Sequence, residues 1–94
     1  SRFAPNARIS RQEMAVLIVR ALELRKGAIP AGSVPSFADG GRIGSWAEEA
    51  VAKAYAAGIM TGKDNNRFAP QDQATRAESA KVVYELLRQL NPQA

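Results

Sequence analysis

The side chains best placed to do chemistry are two arginines. Arg11 and Arg76 each follow a hydroxyl residue, in Ser10-Arg11-Gln12-Glu13 and Thr75-Arg76-Ala77-Glu78. Ser or Thr with Glu three residues later is a capping box, so each arginine falls on the first residue of a helix. A cation there faces the positive end of the helix dipole, at a cost of up to about 1 kcal/mol. Two readings explain the choice. Either the capping glutamate offsets the charge and the arginine is structural, or the guanidinium and the helix N–H groups together hold an anion such as a carboxylate or phosphate.

Trp46, the only tryptophan, starts a third helical pattern. A tryptophan there is expected to be partly buried with its N–H near water; the alternative is a stacking platform for a sugar ring or a base. Other chemistries fall away. With no Cys and no His, disulfide frameworks, Cys/His zinc sites and Ser-His-Asp or Cys-His catalysis are excluded. Asp64-Asn65-Asn66 lacks calcium-loop spacing and reads as a solvated turn. Glu48-Glu49 are acids favoured at a helix start. No glycine-rich phosphate loop is present, and nothing calls for a cofactor or a metal. An enzyme is the least expected class.

The elements that must position these residues repeat themselves. Residues 2–24 and 67–89 align at an offset of 65 with eight of twenty-three positions identical, including Phe3/Phe68, Pro5/Pro70, Arg11/Arg76, Glu13/Glu78, Ala15/Ala80 and Leu22/Leu87. Each copy is a Phe-x-Pro loop feeding a helix. Proline fixes its own φ and pushes the residue before it toward extended backbone, leaving Phe3 and Phe68 as expected core anchors. The 3.6-residue period predicts a helix over 11–26 with Met14, Leu17, Ile18, Ala21 and Leu22 on its apolar face, and Gly27 after its end. It predicts a second over 76–90 with Ala80, Val83, Tyr84, Leu87 and Leu90 inward, stopped by Asn91-Pro92. Between them, Ser45-Trp46-Ala47-Glu48 reads as a capping box opening a helix over 45–58. Its apolar face is Trp46, Ala47, Ala50, Val51 and Ala54, its cap Gly58, with Ile59 in contact beyond it. Residues 27–36 read as a linker.

The expected fold is all-α, a small bundle of three main helices joined by long loops. Ninety-four residues, 46% apolar and 23% charged, suit one small soluble domain or a piece of a larger protein. No apolar run reaches the roughly 20 residues a bilayer span needs. The formal charge of +4 is uneven. Residues 1–30 hold six basic and two acidic side chains, and the remainder is balanced. That excess raises the prospect of an anionic partner.

In order and spacing, residues 37–90 resemble the S-layer homology domain. The features are Phe37-Ala38-Asp39, Gly44-Ser45-Trp46, an alanine-rich helix into Gly58-Ile59-Met60-Thr61-Gly62, Phe68-Ala69-Pro70 and Thr75-Arg76-Ala77-Glu78. Residues 1–26 resemble the second half of a preceding repeat, 37–91 a complete one, and 92–94 a tail. The resemblance implies a non-enzymatic module at the bacterial cell surface, part of a pseudo-threefold tandem-repeat bundle. Such modules hold exported proteins to secondary cell-wall polysaccharide, often pyruvylated. The pyruvyl ketal carries a carboxylate, the anion the helix-start arginines call for. By resemblance Arg76 and Arg11 are its ligands, with Trp46 and Gly44 in the groove and Thr75 and Ser10 at the helix starts.

Two other classes compete. One is a protein–protein assembly module of a surface layer. The other is nucleic-acid binding, which lacks a recognisable reader because the arginines are scattered and few aromatics could stack. Grooves between repeats are incomplete in one and a half repeats. Helix 11–26 has no preceding helix to cover it, and a second copy of the chain is the expected cover.

Overall fold

The computed structural model describes residues 9–31 and 37–90. The first Phe-x-Pro, at residues 3–5, and the Asn91-Pro92 stop lie outside them, as does much of the 27–36 linker. Three helices form among the described residues: α1 (Arg11–Lys26), α2 (Glu48–Ala56) and α3 (Arg76–Leu90). There is no sheet among them, only isolated bridges pairing Ser10 with Gln73 and Lys63 with Arg67. The all-α expectation holds.

Both outer helices start where their caps place them. The Ser10 hydroxyl accepts from Glu13 N–H and Glu13 accepts from Ser10 N–H, at 3.2 and 2.8 Å. The Thr75–Glu78 pair repeats this at 3.0 and 2.8 Å. Each box satisfies two amides that a helix start would otherwise leave open. Gly27 closes α1, its N–H donating to the Glu23 carbonyl.

The middle helix departs from expectation. Ser45 caps nothing, and α2 begins at Glu48, with Ala47 offering no side-chain cap. The reason is Gln12, whose side-chain oxygen accepts the Gly44 N–H at 2.9 Å. With Gly44 held, residues 44–47 close into a tight turn, Ala47 N–H to Gly44 carbonyl at 2.8 Å, before the helix can start. The far end is a Schellman motif: Ile59 N–H reaches the Ala54 carbonyl and Gly58 N–H the Tyr55 carbonyl, each at 3.0 Å. It requires Gly58 at φ 76°, and it turns Ile59 into the core.

α1 is the centre of the molecule, with α2 and α3 both packed against it. Its Met14, Ala15, Ile18, Val19 and Leu22 are buried with Val51 and Ala54 of α2, Val82 of α3, and Ile59, Met60 and Phe68 from the loops. Fully burying a side chain such as Leu22 or Phe68 contributes roughly 2–3 kcal/mol. The expected α1 face holds at Met14, Ile18 and Leu22 and fails at Leu17, and the expected α3 face is mostly wrong. On α1, Leu17 is exposed while Ala15 and Val19 are buried. On α3, Val83, Tyr84 and Leu87 face solvent, and Val82, with Leu86 and Leu90 half-buried, faces α1. α2 and α3 cover the core face of α1 within the chain, so that face needs no second copy, contrary to expectation. Apolar side chains stay exposed on both helices, Leu17 and Leu24 on α1 and Val83, Tyr84 and Leu87 on α3.

The long loops are pinned by one carboxylate. Asp39 accepts from Phe68 N–H at 2.9 Å and from Ala69 N–H at 2.8 Å. This joins Phe-x-Asp to Phe-x-Pro and sets Phe37 against Phe68, with ring centroids 5.5 Å apart. It also corrects the expectation of extended backbone before Pro70. Ala69 has φ 58°, in the left-handed region, held there by the bond to Asp39. A β-carbon at residue 62 would lie 3.0 Å from the Phe37 ring and 3.1 Å from the Arg67 carbonyl, so glycine fits there best.

Candidate functional site

The two helix starts meet through the Phe-x-Pro loop. Residues 70–74 run along residues 9–12: Ala74 N–H donates to the Ile9 carbonyl, Arg11 N–H to Asp72 and Gln12 N–H to Pro70, at 2.9, 2.9 and 3.0 Å. The first amides of α1 are therefore taken by protein carbonyls and by Ser10. They do not form an open anion site. The two first amides of α3, on Arg76 and Ala77, have no such acceptor among the described residues.

Arg11 is buried, and its guanidinium is fully engaged inside the chain. Nε donates to the Phe68 carbonyl at 2.9 Å, one terminal nitrogen to the Thr61 carbonyl, and the other to Glu78 Oε2 at 2.6 Å. Its charge also lies over the Phe68 ring, 4.8 Å from the centroid. This is the structural reading of the helix-start arginine, in a form the capping box did not suggest: the balancing glutamate is the other box's, sixty-seven residues away. Glu78 thus closes its own helix start through Oε1 and receives Arg11 through Oε2. Partial burial pushes its carboxyl up, but the Thr75 N–H and the charges of Arg11 and Lys63 outweigh this and hold it below the ordinary glutamate value. Asp39 behaves alike: desolvation raises it, and the Phe68 and Ala69 N–H groups bring it below the ordinary value.

The other candidates divide. The Ser10 and Thr75 hydroxyls are occupied as caps. Arg76, the counterpart of Arg11, is exposed. Trp46 is not core: it is 60% exposed. Its indole lies directly over Gly44, in space that any β-carbon at position 44 would need. Since Gly44 is tied to Gln12, next to Arg11, this aromatic shelf stands beside the α1 start. The structure thus gathers Ser10, Arg11, Gly44 and Trp46 at one end of α1 and offers Trp46 and Arg76 to solvent. Three contributors were not singled out by sequence reasoning: Gln12, the Thr61 carbonyl and the Asp39 carboxylate. Asp39 had a signal in its fixed place in the Phe-x-Asp motif. Thr61 had none, because it acts through its backbone.

Residues 36–80 match the model of the S-layer homology domain. These residues belong to the S-layer homology domain family. The chain is also 41% identical over 87 residues to an amylopullulanase of Thermoanaerobacterium thermosulfurigenes, covering 88% of this chain and 4% of that protein. It is 40% identical over 88 residues to exoglucanase XynX of Acetivibrio thermocellus, covering 93% and 8%. It is 37% identical over 81 residues to a surface-layer 125 kDa protein of Lysinibacillus sphaericus, covering 86% and 6%. The chain thus spans less than a tenth of the length of each of these relatives. No solved structure gives a significant match. As an S-layer homology module the chain is a binding and anchoring element of the bacterial cell surface. No helix among the described residues is long and apolar enough to cross a membrane.

Proposed function

We propose that this module anchors the protein that carries it by non-covalent binding of an anionic, pyruvylated secondary cell-wall polysaccharide. The observation that carries the reading is the open indole of Trp46 on the Gly44 backbone, a flat apolar shelf on which a sugar ring can stack. Arg76 supports it as the helix-start guanidinium still open to solvent, beside two first-turn amides without acceptors among the described residues. A ketal carboxylate is the anion such a group takes. Arg11, Ser10 and Thr75 enter this reading as the frame that holds the shelf and the helix starts. Catalysis, where the longer protein has it, belongs to other domains, as the names of the glycan-degrading relatives suggest.

Binding to purified cell walls, before and after chemical removal of pyruvyl groups, tests the reading. Binding is expected to fall on removal, and Arg76→Ala to weaken it by about 1.5–3 kcal/mol. Retention on depyruvylated walls at full strength refutes the carboxylate mechanism. A second reading, assembly between modules, is favoured by the uncovered face of α3 described above.

A further inference from the structure

Arg42 and Arg67 take no part in the site described so far, yet the fold brings them to one cleft. Asp39 holds the Phe68 and Ala69 amides at 2.9 and 2.8 Å, and Ala38 N–H donates to the Asn66 carbonyl at 2.7 Å. After Asp39 the chain closes a 3₁₀ turn over Gly40–Arg42, with Arg42 N–H on the Asp39 carbonyl at 2.9 Å. After Ala69 it turns again, with Asp72 N–H on the Ala69 carbonyl at 3.2 Å. The two turns flank a cleft of about 200 Å³, lined by Arg42 and Arg67 with Asp39, Pro70, Gln71 and Asp72 around them.

Arg11 sits in a socket of the Thr61 and Phe68 carbonyls and the Glu78 carboxylate. Arg42 and Arg67 differ from it. Both are exposed, and among the described residues neither guanidinium has a hydrogen-bond or ion-pair partner. The carboxylates of the cleft are already engaged: each Asp39 oxygen carries a backbone amide, and Asp72 Oδ2 lies 3.4 Å from Lys63 Nζ. What remains for a ligand is two guanidinium forks with the Gln71 side chain beside them, a donor set for carboxylate or phosphate oxygens.

The cleft is smaller than the roughly 300–1,000 Å³ of pockets that enclose a whole ligand, so it suits one substituent of a longer molecule. The Trp46 shelf is within reach of the rest. Arg42 precedes Trp46 by four residues, at most about 14 Å of extended chain, and the turns at 40–43 and 44–47 shorten that path. Pro70, on the cleft wall, accepts the Gln12 N–H, and Gln12 in turn accepts the Gly44 N–H beneath the indole. Cleft and shelf share one hydrogen-bonded support.

We infer that the Arg42–Arg67 cleft is an anion subsite for the polysaccharide, binding a carboxylate or phosphate substituent borne near the sugar that stacks on Trp46. It rests on the anchoring reading above and gives that reading a second anion position, separate from Arg76. The hydrogen-bonded turns fix the two backbones before the ligand arrives, which lowers the ordering cost of binding.

Retention of the full chain on purified cell walls tests it. The variants are Arg42→Gln and Arg67→Gln, and the control is Arg25→Gln, an exposed arginine in the last turn of α1. Each cleft variant should weaken retention about tenfold, as for the loss of a charge-assisted bond. The urea midpoint should not move, because both side chains are exposed, and Arg25→Gln should change retention less than about twofold. Residual retention on depyruvylated walls assigns the anion. If the cleft variants now equal the wild type, it is the pyruvyl ketal; if they still fall short, it is another carboxylate or a phosphate. Both outcomes support the subsite. Full retention of either cleft variant on intact walls overturns it, as does a loss that comes with a fallen urea midpoint. An equal loss in Arg25→Gln also overturns it, being the mark of diffuse attraction to a basic chain. Silent cleft variants beside a weakened Trp46→Ala sink the subsite alone, whereas a wild type that walls do not retain sinks the anchoring reading with it.

Discussion

Arg11→Ala should unfold much of what holds this module together. The substitution removes a guanidinium that satisfies two buried carbonyls and one carboxylate. Breaking a buried pair by deleting one partner costs roughly 3–5 kcal/mol, because the other charge stays behind without compensation. Glu78 retains about a quarter of its side-chain exposure, so water recovers part of that loss. The Phe68 cation–π contact adds back on the order of 1 kcal/mol. The net expectation is about 3 kcal/mol. A chain of this size has a total stability of about 5–10 kcal/mol, so the variant remains folded with little margin. With a urea slope of about 1.5 kcal/mol per molar, the unfolding midpoint drops by about 2 M. Thermal unfolding should fall by more than 10 °C, at roughly 4–8 °C per kcal/mol. Arg11→Lys should recover only part, since a single ammonium cannot span three acceptors in the plane of a guanidinium fork. Circular dichroism against urea, with wall binding measured on the same samples, decides. A midpoint unchanged in Arg11→Ala, together with lost wall binding, would refute the structural assignment and return Arg11 to the ligand.

Trp46→Ala should leave the urea midpoint nearly unchanged, since the indole is largely outside the core, while weakening wall retention about thirtyfold if the ring is an energetic anchor; equal retention by pull-down removes the shelf. Gly44→Ala should displace the indole and strain the Gln12 bond, so Trp46 fluorescence should shift and retention fall together; an unmoved emission spectrum contradicts the packing described. Acid should destabilise the fold in a defined direction. The Asp39 and Glu78 carboxyls lie below their ordinary values, so the stability they contribute is fully present above about pH 4.5 and is lost as pH falls through their folded-state values. Asp39→Asn should lower stability at neutral pH and flatten the acid limb of a stability–pH curve, and an acid limb of unchanged steepness refutes the role given to Asp39.

Local chemistry was readable in the residues wherever it decides structure alone. Both capping boxes set their helix starts correctly, Gly58 and Ile59 announced the Schellman motif, and the repeat announced two equivalent helices. What was not readable depends on neighbours. Ser45 looked like a cap, but a distant Gln12 holds Gly44 and delays the helix. The period of α3 pointed to Val83, Tyr84 and Leu87 as the inward side, but the partner helix packs on Val82, and periodicity cannot say which side has a partner present. Trp46 looked like core because large apolar side chains usually are, yet glycine beneath it lets it lie flat on the surface. Arg11 and Arg76 are nearly identical in local sequence and opposite in environment. Only the surrounding chain separates them, which is why their common motif suggested one common role.

The bond from Arg11 to Glu78 also bears on where this module begins. The matched family segment, residues 36–80, opens at Phe-x-Asp and ends within α3, so it excludes α1. Yet α1 supplies the centre of the core and fills the arginine socket. The matched family segment and the packed core of this chain therefore have different bounds. A chain trimmed to residues 36–80 would expose Phe68, Val51 and Ala54 to water and leave Glu78 without Arg11.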